Sequence, residues 1–242
     1  MAYLSGKDVH AVFIDELDVK QSQNALTITN EAVAPKRRPL GSVSPGCYLT
    51  GQVDGEMTIS GWLDSETAVQ LADLTGDAKV ISVLFAGNTV SSLFAGFQSA
   101  YVTGNKVGTD EDDLDSFEPV ITANGCKANI GYVVGPHAAY TSAGNTDATY
   151  ATINEASGAS GVAFLHITDI SLDDYTSVTF TVRHSDDHIT FADHTAFVTA
   201  AAVGAQTVAL AATVNKYLSI SHAYVGAGTS PSVTAFVGVA ID

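Results

Sequence analysis

The residues best suited to chemistry lie in one stretch: His184, Asp186, Asp187, His188 and His194. Neutral imidazole and carboxylate both ligate zinc and similar ions, so this region is a candidate metal site. Its spacing matches no recognised ligand pattern, and a polar strand end followed by a turn accounts for the same residues. No metal ligand is assigned on that basis. The chain has no Gly-x-Ser-x-Gly elbow, no His-Glu-x-x-His helix and no Gly-x-x-x-x-Gly-Lys phosphate loop. Gly204-Ala-Gln-Thr-Val opens no phosphate-binding helix. A carboxylate pair of glycosidase type could sit among the 26 acids, but no motif marks it. The expectation is a protein without catalytic residues or cofactor.

The elements that would carry these side chains are strands. A hydrophobic share of 46% with only 15% charged residues argues against disorder, and abundant Thr, Val, Ser and Ala favour strands. Strands are predicted near Val9 to Ile14, Ala25 to Glu31, Glu56 to Leu63, Lys79 to Ala86, Leu93 to Val102, Phe117 to Thr122 and Ala128 to Val134. The near-continuous apolar run Val80 to Phe85 suits a strand covered on both faces. Ser65 to Leu74 reads as a short helix opened by Asp64 or Ser65, with Ala68, Leu71 and Ala72 on one face and Gly76 just beyond its end. Asp110 to Asp115 reads as a solvated acidic loop.

Residues 135 to 160 are rich in small and polar side chains and read as the boundary between domains. Beyond them, short strands near Val162 to Thr168, Ser177 to His184, Ala196 to Thr199, Gln206 to Ala211, Val214 to Ser221 and Val233 to Ala240 have sandwich spacing. Alternation sets Val178, Phe180 and Val182 against Thr179, Thr181 and Arg183, so one face packs and the other meets water.

The formal charge of −16 excludes a protein that grips nucleic acid through its phosphates. It is compatible with a wall that repels nucleic acid, and equally with plain solubility. Cys47 and Cys126 lack metal-ligand spacing and suit a reducing cytoplasm. The first residues have neither a basic nor an apolar signal region, and no apolar run approaches the ~18 residues of a membrane span. Lys36-Arg37-Arg38 is the one basic cluster, inside a segment holding Pro35, Pro39, Gly41, Pro45 and Gly46. Proline cannot complete a regular ladder, so this segment is expected to be an arm or loop. Its cations are either a basic surface loop or a contact for an acidic neighbouring subunit.

Residues 51 to 64, Gly-Gln-Val-Asp-Gly-Glu-Met-Thr-Ile-Ser-Gly-Trp-Leu-Asp, read as a tight Asp54-Gly55 turn, an alternating strand and then the helix. This order resembles the major tail tube proteins of long-tailed bacteriophages, matching at Gly51, Asp54, Gly55, Ser60, Gly61 and Asp64. The resemblance covers residues 8 to 135 as an order of elements. Farther on, Ser177 to Arg183, His184-Ser185-Asp186, Gly204-x-Gln206-x-Val208 and Asn215 to Leu218 resemble C-terminal sandwich domains appended to phage tail and virion proteins.

The resemblance implies a mainly β protein. Residues 1 to 135 would be a ring-forming tail-tube sandwich or barrel with one short helix, 136 to 160 a linker, and 161 to 242 an Ig-like or jelly-roll-like sandwich. It implies a structural virion protein, assembled in the host cytoplasm, that partners itself in stacked hexameric rings and meets other tail proteins. DNA would pass through without specific binding during ejection. Residues 1 to 135 hold 17 acids and 8 bases, so a negative lumen is expected, with Asp54 and Glu56 as candidates. The alternatives are a capsid decoration or head-tail joining protein, or a carbohydrate-binding or adhesion module.

Overall fold

A computed structural model of the chain describes residues 9–19, 23–32, 36–37, 47–48, 53–62, 76–85, 87–109, 115–124, 127–153, 160–210 and 213–241. In chain order the strands are β1 (Val9–Ile14), β2 (Leu17–Asp18), β3 (Gln23–Ala32), β4 (Lys36–Arg37), β5 (Cys47–Tyr48), β6 (Val53–Trp62), β7 (Lys79–Phe85), β8 (Leu93–Thr109) and β9 (Asp115–Ala123). They continue as β10 (Asn129–Tyr140), β11 (Gly144–Asn145), β12 (Ala151–Thr152), β13 (Gly161–Ser171), β14 (Tyr175–Ser185), β15 (Ala192–Ala196), β16 (Gly204–Leu210), β17 (Tyr217–Gly226) and β18 (Ser232–Ile241). The protein is mainly β, and among the described residues the one helical element is a 3-10 turn at Asp147–Thr149. No described helix is long and apolar enough to cross a membrane. The expected helix at 65–74 lies outside the described residues.

The chain forms two compact units, Met1–Gln21 with Val80–Gln98 and Asn129–Asp242, and Ser22–Lys79 with Ser99–Ala128. In the first unit one sheet runs β16-β13-β18-β10-β8-β7-β1-β2, and a second runs β11-β17-β14-β15 with β12 also on β17. The two sheets sandwich a core that includes Val134, Leu165, Phe180, Ile220 and Val237. Val178, Phe180 and Val182 are buried, as their alternation requires, while Thr179, Thr181 and Arg183 are only half-buried.

The other face of the first sheet buries Ala11, Phe13, Leu84, Phe94, Phe164 and Phe236. Phe13 stacks on Phe236 with ring centroids 5.3 Å apart, although β10, β8 and β7 lie between their strands in the sheet order. The sheet therefore curls, the consequence of strand twist accumulated over several neighbours. Each fully buried phenylalanine contributes about 1.5–3 kcal/mol relative to exposure, so the aromatic cluster supplies a large share of what holds β1 in place. Ile81 through Leu84 are all buried, which accounts for the unbroken apolar run of β7.

One sequence expectation is corrected here. Residues 136–160 do not separate a domain ending at 135 from one starting at 161. β10 runs through residue 135 to Tyr140 and pairs with β18, from Tyr132↔Val239 to Tyr140↔Val233. Tyr140, Ala151 and Ile153 belong to the same core as Leu165 and Phe180. Gly135 serves close packing rather than a linker: a Cβ there would stand 2.5 Å from Ile220 Cδ1. The sandwich thus includes strands on both sides of the expected boundary.

In the second unit the order is β3-β6-β9-β8, all antiparallel. β8 gives its early residues to the first unit, pairing Leu93 to Gly96 with β10, and its later ones to the second, pairing Ala100 to Thr109 with β9.

Candidate functional site

The family-like motif falls on β6, the strand flanked on both sides by β3 and β9. Asp54 and Gly55 are not a turn. They lie inside the strand, opposite Glu31 and Asn30 of β3. The Asp-Gly pair is a strong hairpin signal only when the chain reverses there; glycine also accepts extended backbone, and the ladder with β3 continues from Ala32↔Val53 to Gln23↔Gly61. Ser60 stands opposite Ala25, and Gly61 opposite both Gln23 and Phe117. Gly51 and Asp64 lie outside the described residues.

Burial along β6 follows the pleat. Gly55 and Met57 are buried, Glu56 is exposed and Thr58 is half-buried. Glu56 thus lies on the face opposite buried Met57. The register also sets Glu31 and Asp54 directly opposite each other.

Lys36 and Arg37 form β4, paired with β5 through Lys36↔Tyr48 and Arg37↔Cys47. The basic segment, expected as an arm or loop without a regular ladder, is thus closed by a short one. Proline leaves this pairing intact because Pro39 and Pro45 lie between the paired residues in sequence. Arg38 lies outside the described residues.

The histidine region comes together only in part. His184 and His194 meet with ring centroids 4.7 Å apart and ring planes at 81°. A register shift in the β14–β15 pairing, from Val182↔Thr195 to Arg183↔Asp193, leaves His194 as the extra residue of a bulge. His184 Nδ1 accepts the Asn215 backbone N–H at 3.3 Å, so the proton of the neutral ring sits on Nε2 and leaves no lone pair there for a metal. Burial, then the charge of His194, lowers the His184 pKa.

His188 turns away, packing its ring 5.5 Å from that of Tyr150 and 5.2 Å from that of Tyr217. Asp187 caps its own turn by accepting from Ser185 Oγ and from the N–H groups of Ile189 and Thr190. Those bonds lower its pKa to about 2. Among the described residues no three His, Cys, Asp or Glu side chains gather as a metal site.

Two polar clusters escaped the sequence reading. Arg183 pairs with Asp147, donates from Nε to Asp193 at 3.0 Å and from Nη2 to the Phe191 carbonyl at 2.7 Å, while Ser219 Oγ donates to Asp147 at 2.6 Å. His166 is fully buried. Its Nδ1 lies 2.7 Å from the Asp15 carbonyl and its Nε2 lies 2.9 Å from Ser82 Oγ. Desolvation by burial lowers its pKa to about 4. The usable signal was a lone histidine inside the apolar run Val162-Ala-Phe-Leu-His-Ile167, which marks a buried and hence partnered ring.

No family model matches the chain, and no curated protein matches it. Among solved structures, a chain from the virion of a native gene transfer agent particle is similar over 54% of this chain and 98% of that one, at 14% identity and a TM-score of 0.40. A chain from the tail of an empty gene transfer agent particle, refined with C6 symmetry, covers the same shares at 15% identity and a TM-score of 0.39. The SPP1 Dit protein, described as a paradigm of the hub adsorption apparatus in phages infecting Gram-positive bacteria, aligns over 95% of this chain and 98% of its own at 10% identity and a TM-score of 0.34. Likeness at this level carries no functional conclusion. The class that the fold defines is a mainly β protein of two antiparallel units.

Proposed function

We propose that the chain is a structural subunit of a bacteriophage tail, of the major tail tube type, which forms stacked rings around a channel for DNA. The observation that carries this reading is the motif strand. Asp54, Gly55, Ser60 and Gly61, four residues on which the sequence resemblance rests, lie on one strand, β6, and exposed Glu56 lies between the Asp-Gly and Ser-Gly pairs. The charge of −16 supports it, since a negative wall keeps phosphates from adhering. Exposed backbone on sheet edges can pair with another copy, so edges that would be hazards in a monomer become ring contacts. In this reading Lys36 and Arg37 meet carboxylates of an adjacent subunit. Negative-stain electron microscopy of the purified protein tests it: tubes or stacked rings are expected, and a protein that stays monomeric at all concentrations rejects it.

A further inference from the structure

We propose that the β1–β2 hairpin is an acid-released latch, in which protonation of histidine at its contact with β13 frees residues 10–19 while the two-sheet core stays folded. Among the described residues β1 and β2 end their sheet, and one ladder, to β7, runs along the hairpin. Past the end of that ladder, Val80 N–H donates to the Asp15 carboxylate at 2.8 Å, and side chains add attachment across the curled sheet. Phe13 enters the aromatic cluster, and the buried His166 ring reaches the Asp15 carbonyl with one nitrogen and Ser82 Oγ with the other.

The charged and titratable groups around that ring come from several elements. Asp15, just past β1, contributes both its carbonyl and a charge that favours protonation, while His137 of β10 contributes a charge that opposes it. Asp18 of β2 acts through His137, whose Nδ1 lies 3.8 Å from the Asp18 carboxylate. His137 Nε2 also meets Thr168 Oγ1 at 2.8 Å. β7 presents Ser82 and β18 presents the apolar ring of Phe236.

Burial outweighs the favourable charge and holds the His166 pKa at about 4, below the ordinary 6.5. A lowered histidine pKa means that the closed form prefers the neutral ring. Its contribution is complete above pH 6.5 and is lost as pH falls toward 4. A ring released into water takes up its proton at the ordinary pKa, so the opening equilibrium should rise about 70-fold between about pH 7.5 and about pH 4.5.

Hydrogen–deuterium exchange of the full chain, corrected for the intrinsic rate, reads this directly. Residues 10–19 should lose protection by that factor while β14 and β17 keep theirs. Unchanged protection of residues 10–19, or an equal loss in β14 and β17, overturns the proposal. His166→Gln should open more often at neutral pH but without the acid dependence, and retention of the full dependence would assign it elsewhere. Should that variant fail to fold, a ring titration of the unaltered protein by NMR decides: a His166 midpoint near the lowered value supports the latch, and an ordinary midpoint rejects it.

Discussion

His166 Nδ1 lies 2.7 Å from the carbonyl oxygen of Asp15, a hydrogen bond that joins positions 151 residues apart. A carbonyl can only accept, so Nδ1 carries the proton and Nε2 accepts from Ser82 Oγ. Ser82→Ala should therefore strand a buried lone pair and cost about 1–3 kcal/mol. Urea unfolding at neutral pH measures it. A loss below ~0.5 kcal/mol, the range of ordinary surface changes, would mean that Ser82 is not the donor.

Gly131→Ala should be more damaging. A Cβ at this position would stand 2.1 Å from the Val239 carbonyl oxygen and 2.6 Å from Ala240 Cα. Both are backbone atoms of β18, so relief requires parting a central ladder, at about 3 kcal/mol or more. Gly144→Ala is the control, because its nearest neighbour would be the His222 ring at 3.7 Å, an ordinary contact. Thermal melts should separate the pair clearly; similar melting temperatures would contradict the packing described for β10 and β18.

Arg183→Lys keeps the charge and loses the fork. Asp147, Asp193 and the Phe191 carbonyl are held by different nitrogens of one guanidinium, a span that a single ammonium cannot reproduce. The expected cost is about 1–2 kcal/mol, with faster exchange in residues 144–152, which Asp147 anchors. Unaltered exchange there would reduce the cluster to a surface pair of little consequence.

In a fragment ending at residue 135, the first-unit strands β1 and the start of β8 should lose their fold, although the second unit keeps all of its residues. The truncation would cut β10 before Tyr140, remove β18 from its side, and strip Val162, Phe164, Phe236 and Ala240 from the core that holds Phe13 and Phe94. Dispersed amide signals from residues 9–14 and 93–98 in that fragment would contradict the division into units.

Most strands were legible because their residues alternate or run apolar for a burial reason. β1, β7 and β14 are cases in which the pattern and the buried face coincide. Local composition misled where one residue type serves two physical ends. Gly55 was read as a turn former and is used as extended backbone beside β3, and Gly135 was read as linker and is used for close approach to Ile220. The Asp15–His166–Ser82 contact was out of reach, because its partners come from distant parts of the chain and only sheet curling brings them together. The His184 and His194 pair was visible as composition, but the hydrogen bond from Asn215 to His184 Nδ1 was not.

The measurement that bears most directly on the proposed function is a cryo-electron microscopy reconstruction of the assembled protein. The account predicts a hollow tube of stacked rings whose channel is lined by carboxylates, with Glu56 of β6 facing the channel. Such a wall would repel phosphate over roughly a Debye length, ~8 Å at physiological salt. A channel lined by lysine and arginine, or an assembly with no channel, would contradict it.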